Sequence, residues 1–165
     1  MIYPIELKSK LEEMNILSNA VESIQIGLED FTSNDPRRAQ SALRNIFAGI
    51  LLLFKEKLRR MSPPGSEDVL IKQNIMPGLG KQGQVVFRGK GQKTVDVRTI
   101  QDRFNQLDVK VNWKQLEDIA RLRNNIEHYY TEQSSSVINE VISKSFQIIN
   151  DFCITYLGEE PSELF

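Results

Sequence analysis

Four stretches of this chain set apolar residues three or four positions apart, the repeat that lines one side of an α-helix, and nothing else limits the fold so strongly. The first carries Leu7, Leu11, Met14, Leu17, Val21, Ile24 and Leu28, with Pro4 where a first turn tolerates it and Thr32-Ser33-Asn34-Asp35 as its polar end. The second opens at Asp35-Pro36, a capping acceptor followed by a proline suited to the first helical position. Ala39, Leu43, Ile46, Phe47, Ile50, Leu51, Phe54 and Leu58 give it a wide apolar face, and between Ile50 and Leu53 it is apolar almost all round. This helix should be the most central. Lys55, Lys57, Arg59 and Arg60 gather in its last turns, where cations favour the helix dipole, and Pro63-Pro64-Gly65 stops it. The third opens at Asn112 with Gln115 three residues on, and Leu116, Ile119, Ala120 and Ile126 form its inner face. The fourth follows the serines ending at Ser136, carries Ile138, Val141, Ile142, Ile149, Phe152, Cys153 and Tyr156, with Cys153 expected as a buried small hydrophobe, and ends at Gly158 and Pro161.

Between Met61 and Lys110 the period breaks down. Pro77-Gly78, Gly80, Gly83, Gly89 and Gly91 punctuate the segment. Gln84-Val85-Val86-Phe87 and Thr94-Val95-Asp96-Val97 are β-prone runs about Arg88-Gly89-Lys90-Gly91, which reads as a hairpin turn, and Thr99 with Asp102 opens a short helix carrying Ile100, Phe104 and Leu107. The expectation is a single, mainly α domain over 1–165: an antiparallel four-helix up-and-down bundle with a small hairpin-containing insertion, about 62–110, between the second and third long helices.

The scarcity of reactive side chains excludes many functions. One cysteine, Cys153, rules out an internal disulfide and a thiolate zinc site within one chain; one histidine, His128, rules out a two-histidine metal site. No Walker-type loop, HExxH, EF-hand loop or G-x-S-x-G occurs, so no metal and no cofactor is expected. Gly78-x-Gly80-x-x-Gly83 has dinucleotide-fingerprint spacing but neither follows a clear strand nor opens a helix, and reads as a loop. The longest apolar run, Ile46 to Phe54, falls far short of the roughly twenty residues of a membrane helix. With no signal-like start, the expectation is a soluble cytoplasmic protein without membrane partners.

What remains is Arg121-Leu122-Arg123-Asn124-Asn125-Ile126-Glu127-His128-Tyr129-Tyr130 at the end of the third helix. As local spacing alone, this fits a helix C-terminus decorated with a histidine that favours the dipole. In a four-helix setting, however, Arg123-Asn124-Asn125-Ile126-Glu127-His128 resembles the R-x4-6-H motif of the HEPN superfamily of helical domains, including its frequent polar residue after arginine. Tyr130 extends the likeness to R-x4-H-x-Y, the form of toxins paired with nucleotidyltransferase antitoxins. The likeness covers the long helices and leaves the insertion unexplained.

The resemblance implies a metal-independent endoribonuclease, a toxin or antiviral defence effector. The ribose 2′-OH attacks the adjacent phosphorus, leaving a 2′,3′-cyclic phosphate and a 5′-OH. His128 would move protons, Arg123 would hold the phosphate and Asn124 would orient the site. A mechanism with two imidazoles demands two copies of a one-histidine chain, which agrees with the symmetric dimers of the family. Tyr130 would be the residue adenylylated by an antitoxin of the nucleotidyltransferase type. The rival class is a non-catalytic HEPN-like module binding a partner protein or nucleotide.

Helix geometry complicates the choice of arginine. Five residues turn through about 500°, leaving Arg123 roughly 140° from His128, whereas Arg121 is nearly in line with it and Asn124 about 40° off. Either the helix unwinds near Glu127, or Arg123 reaches across a dimer groove, or Arg121 is the working arginine. Charge adds a second candidate surface. Pro36 to Arg60 carries a net +6 and Lys81 to Arg103 a net +4, against −5 over the first 35 residues. Arg88, Lys90 and Lys93 on the expected hairpin could grip RNA phosphates, or simply keep an exposed hairpin soluble.

Overall fold

The computed structural model describes residues 15–66, 68–129 and 135–165. The chain is mainly helical with a small two-stranded antiparallel sheet. The described helices are α1 (Ile16–Thr32), α2 (Ala39–Met61), α3 (Val97–Gln106), α4 (Trp113–Tyr129), α5 (Ser135–Phe152) and a terminal turn α6 (Pro161–Leu164); the strands are β1 (Lys72–Leu79) and β2 (Val85–Thr94). None of the described helices is long and apolar enough to cross a membrane.

Caps set most of these boundaries. Asn15 has extended backbone and its side chain accepts from Ser18 N at 2.8 Å, so α1 starts there and the upstream period does not run on into it. Leu7, Leu11 and Met14 lie outside the described residues. Asp35 accepts from Arg37 N, and Pro36 opens a 3₁₀ turn (Pro36–Arg38) that leads into α2. Asn112 accepts from Gln115 N at 3.1 Å at the head of α4. At the other end, α5 widens into a π-turn (Cys153–Leu157), which Gly158 closes at φ 63°, a conformation that suits glycine.

The chain divides into two compact units. One comprises the described residues up to Leu53 together with Val111–Phe165; the other is Phe54–Lys110, so the boundary falls within α2. In the first, α1 and α2 approach closely enough to exclude side chains. A Cβ on Gly27 would lie 2.7 Å from Ile46 Cγ1, and one on Gly49 would collide with Ile24 Cγ1 and come within 3.1 Å of the Ala20 carbonyl. Leu43, Ile46, Ile50 and Leu53 of α2 are fully buried, in keeping with a helix apolar almost all round, and Leu116, Ile119, Ile142, Ile149, Phe152 and Cys153 complete the unit's interior. α4 and α5 pack against each other.

One buried carboxylate ties α1 to the start of α2. Asp30 is 6% exposed; Ser41 Oγ donates to its Oδ2 in a short hydrogen bond, Asn45 Nδ2 lies 3.4 Å from the same oxygen, and Arg38 Nε lies 3.0 Å from Oδ1. The loop between the helices is thus closed by a shared anion whose burial is compensated on both oxygens.

In the second unit, Phe54 and Phe104 meet edge to face at 5.4 Å, with Leu58, Val69, Ile71, Val95, Ile100 and Val109 buried in the same unit. Asp96, not Thr99, caps α3, accepting from Thr99 N at 2.8 Å, and that hydrogen bond leads the lowering of its carboxyl pKa. Arg103 donates to the carbonyls of Leu70 and Lys72, so a guanidinium secures the entry to β1. Glu56 is 2% exposed and accepts from Arg59 at 2.8 and 2.9 Å and from Arg60 at 2.8 Å. Burial pushes its carboxyl up, but the arginine hydrogen bonds and charges together outweigh it and hold the group below its ordinary value.

The hairpin differs from its sequence expectation. The turn is Gly80–Gln84, where Gly83 N donates to Gly80 O at 3.0 Å and Gly80 N to Gln84 O at 2.7 Å. Arg88-Gly89-Lys90-Gly91 lies within β2, whose register pairs Leu79 with Val85, Pro77 with Phe87 and Met76 with Arg88. Glycines that suggest a turn are accommodated in the strand for two local reasons. The Lys72 stem occupies the space a Cβ on Gly89 would need, and Gly91, at φ 76°, sits where β2 carries extra residues opposite Lys72–Asn74. Gly78, Gly80 and Gly83 therefore belong to a hairpin and not to a strand-to-helix turn.

Two stability tests follow from these contacts. Gly49→Val should cost about 1–3 kcal/mol in a urea melt, because the buried Ile24 side chain stands where the new Cβ must go and the Ala20 carbonyl leaves little room beside it. For Glu56, the lowered folded pKa means a contribution that is complete above the unfolded carboxylate value of about 4.3 and is lost as pH falls through the folded one. The stability difference between the wild type and Glu56→Gln should therefore be largest at neutral pH and shrink below about pH 4.3; urea midpoints measured from pH 7 to 3 check this.

Candidate functional site

α4 runs without interruption from Trp113 to Tyr129, so the helix does not unwind near Glu127. The backbone positions of Arg123 and His128 are then about 140° apart around its axis, and those of Arg121 and His128 only about 20°. Nothing is described of the His128 side chain, and Tyr130 lies outside the described residues.

Arg123 takes a place in the apolar stripe of α4. It is four residues after Ile119, which is fully buried, and three before half-buried Ile126, the spacing that returns a side chain to the same face. Its guanidinium lies over the ring of Phe47 on α2, 4.3 Å from the centroid, a cation–π contact inside the first unit. Its Nε is buried and finds no hydrogen-bond acceptor among the described residues, while Nη2 donates to Asn124 Oδ1 at 3.3 Å. Asn124 is exposed and so orients one arm of the guanidinium from the solvent side.

Arg121 is different in every respect. It is exposed, lies off the apolar stripe and forms a long ion pair with Asp118, 3.6 Å, one turn before it. At the surface such a pair restrains it little. The four residues picked out near the motif thus divide by role: Arg123 is half-buried against Phe47 with exposed Asn124 accepting from one arm of its guanidinium, and Arg121 is an exposed cation on the side of the helix that His128 shares by its backbone position. Phe47 is the member that sequence reading assigned only to the core. Its spacing on α2 signals burial, and nothing in that pattern signals an arginine above it.

Arg88, Lys90 and Lys93 all lie on β2, in the other compact unit. Arg88 folds across the strand pair, its Nη2 donating to Leu79 O at 3.1 Å. By strand alternation Arg88 and Lys90 share one face, with Met76 and Asn74 opposite them. Among the described residues, no group of three His, Cys, Asp or Glu side chains is placed to hold a metal.

Comparison with known proteins returns no likeness to interpret: no protein-family model matches the sequence, and neither a curated protein nor a solved structure matches the chain.

The two arginines should separate in a simple measurement. Arg123→Ala removes a guanidinium held over an aromatic ring and should lower stability by about 1–2 kcal/mol, whereas Arg121→Ala should stay within about 0.5 kcal/mol of wild type. Urea midpoints of the two variants test this, and the result is needed before any loss of function in Arg123→Ala is ascribed to chemistry.

Proposed function

We propose that this chain is a HEPN-like, metal-independent endoribonuclease that acts as a C2 homodimer, a cytoplasmic toxin or antiviral effector. The observation that carries the reading is the run Arg123 to His128 on the closing turns of one uninterrupted long helix, in a chain built mainly of helices. In this reading α1, α2, α4 and α5 are the four long helices of an antiparallel bundle, and the hairpin lies in the insertion between the second and third.

The chemistry asks for few groups. The imidazole of His128 accepts the proton of the ribose 2′-OH as that oxygen bonds to phosphorus. The bond from phosphorus to the 5′ oxygen breaks, and a protonated His128 of a second copy supplies the proton that the leaving oxygen needs. Histidine suits both steps because its ordinary pKa, about 6.5, lies close to neutral pH. An arginine fork holds the non-bridging phosphate oxygens as charge builds on them. Arg121 suits that role by exposure and by its alignment with His128; Arg123, held on Phe47, suits the shaping of the groove. Asn124 orients Arg123, and Arg88, Lys90 and Lys93 supply phosphate contacts on the RNA. In the toxin form, AMP placed on Tyr130 by a nucleotidyltransferase antitoxin would close the groove.

A second reading has an observation of its own. The Arg123 guanidinium over the buried Phe47 ring gives this arginine a packing role that needs no catalysis, and it favours a non-catalytic HEPN-like module that binds a protein or nucleotide.

Cleavage of single-stranded and structured RNA in EDTA separates the readings. The ribonuclease should leave cyclic-phosphate ends, lose at least about 100-fold in rate in His128→Ala, and lose more in Arg121→Ala than in an Arg123→Lys variant of normal stability. A dimeric wild type that cuts neither RNA would reject the enzyme and leave the binding module.

A further inference from the structure

The β1–β2 hairpin has an unusual surface. Between Lys72 and Thr94 there are five cations, Lys72, Lys81, Arg88, Lys90 and Lys93, and no acidic residue. Its other polar side chains are amides, apart from Thr94: Gln73, Asn74, Gln82, Gln84 and Gln92. The register gives it two distinct faces. Leu79, Val85, Pro77, Phe87 and Ile75 fall together on one, opposite the face of Arg88 and Lys90. That apolar face is open: Leu79 is 68% exposed, Val85 66% and Phe87 56%. Toward the base it ends at Gly89, over which the Lys72 stem lies as its Nζ reaches Gly91 O at 2.9 Å.

A two-stranded ribbon with an uncovered apolar face is marginal in water, so something of matching chemistry should cover it. A second copy would set five cations against five. Hydrocarbon would strand the unpaired backbone groups along both edges of the ribbon, as well as the polar turn Lys81-Gln82-Gly83-Gln84. An acidic protein would answer the cations but has no particular use for a flat aromatic beside exposed amides. A single nucleic-acid strand answers all three features: phosphates for the cations, base edges for the amides and base faces for an exposed phenyl ring.

We propose that the apolar face of the hairpin, centred on Phe87, is a stacking platform for unpaired bases, and that the ribbon binds single-stranded RNA with its cations on the flanking phosphates. The inference deepens the ribonuclease reading and rests on it for the choice of RNA over other polyanions. It adds a strand preference and assigns the work to Phe87, a residue outside the basic set.

The test is fluorescence anisotropy with a labelled twelve-nucleotide single-stranded RNA and its duplex, using full-length His128→Ala protein so that the probe is not cut. Single-stranded RNA should bind at least about tenfold tighter than the duplex. Phe87→Ala, on an exposed side chain, should weaken it about tenfold with the salt dependence unchanged, and Lys90→Gln should reduce that dependence by roughly 0.7. Equal affinity for duplex and single strand, no effect of Phe87→Ala, or binding only to anionic phosphatidylserine vesicles or an acidic peptide would overturn the proposal. Wild-type cleavage is measured separately. Binding that needs Phe87 without any cleavage rejects the ribonuclease alone; cleavage and binding indifferent to Phe87 reject the platform alone.

Discussion

The fold depends on the burial of α2. Leu43, Ile46, Ile50 and Leu53 are fully enclosed within one compact unit, and Phe54 and Leu58 within the other, all along one uninterrupted helix. A helix apolar on several sides has no stable existence in water, so its neighbours must come close, and the glycines at 27 and 49 let α1 do so. The polar features are arranged around that necessity. Asp30 of α1 answers Ser41, Asn45 and Arg38 where α2 begins, and Glu56 answers Arg59 and Arg60 near its end, so a buried carboxylate near each end finds partners close by in the chain.

Much of this was legible in the residues. The apolar periods marked the long helices, and Asp35-Pro36, Asn112 with Gln115, and Gly158 marked their limits, because each of these residue types satisfies a particular need of a helix end. The failures have equally local causes. The period upstream of Asn15 matched that of α1, but periodicity does not register a cap within a run. The hairpin turn was placed on Arg88–Gly91 because Gly89 and Gly91 look like turn residues. In the fold, one makes room for the Lys72 stem and the other serves an irregularity in the strand, contacts that no short-range pattern encodes. The π-turn at Cys153–Leu157 has no residue signature at all, although the burial of Cys153 was expected and is complete.

The candidate site was partly legible. Its helix and its position near the helix end could be read from the sequence, and the angular mismatch between Arg123 and His128 could be computed from spacing alone. That Arg123 points inward could also have been read, since it falls between Ile119 and Ile126 in the apolar repeat, although that repeat does not name Phe47 as its neighbour; a charged residue in such a slot is easily taken for an interruption. An arginine can hold an apolar slot when its planar head finds an aromatic face, and this one does.

The Asp30 clamp has a consequence for the order in which the molecule is built. Its partners lie only 11 and 15 residues along the chain at Ser41 and Asn45, so closing this loop costs little chain entropy. During synthesis every member of the clamp has been made before the first residue of β1, while α4 and α5 come only after the hairpin and α3. The contacts that tie α1 to the start of α2 are therefore local in sequence, whereas α4 and α5 join the same compact unit only across a long stretch of chain.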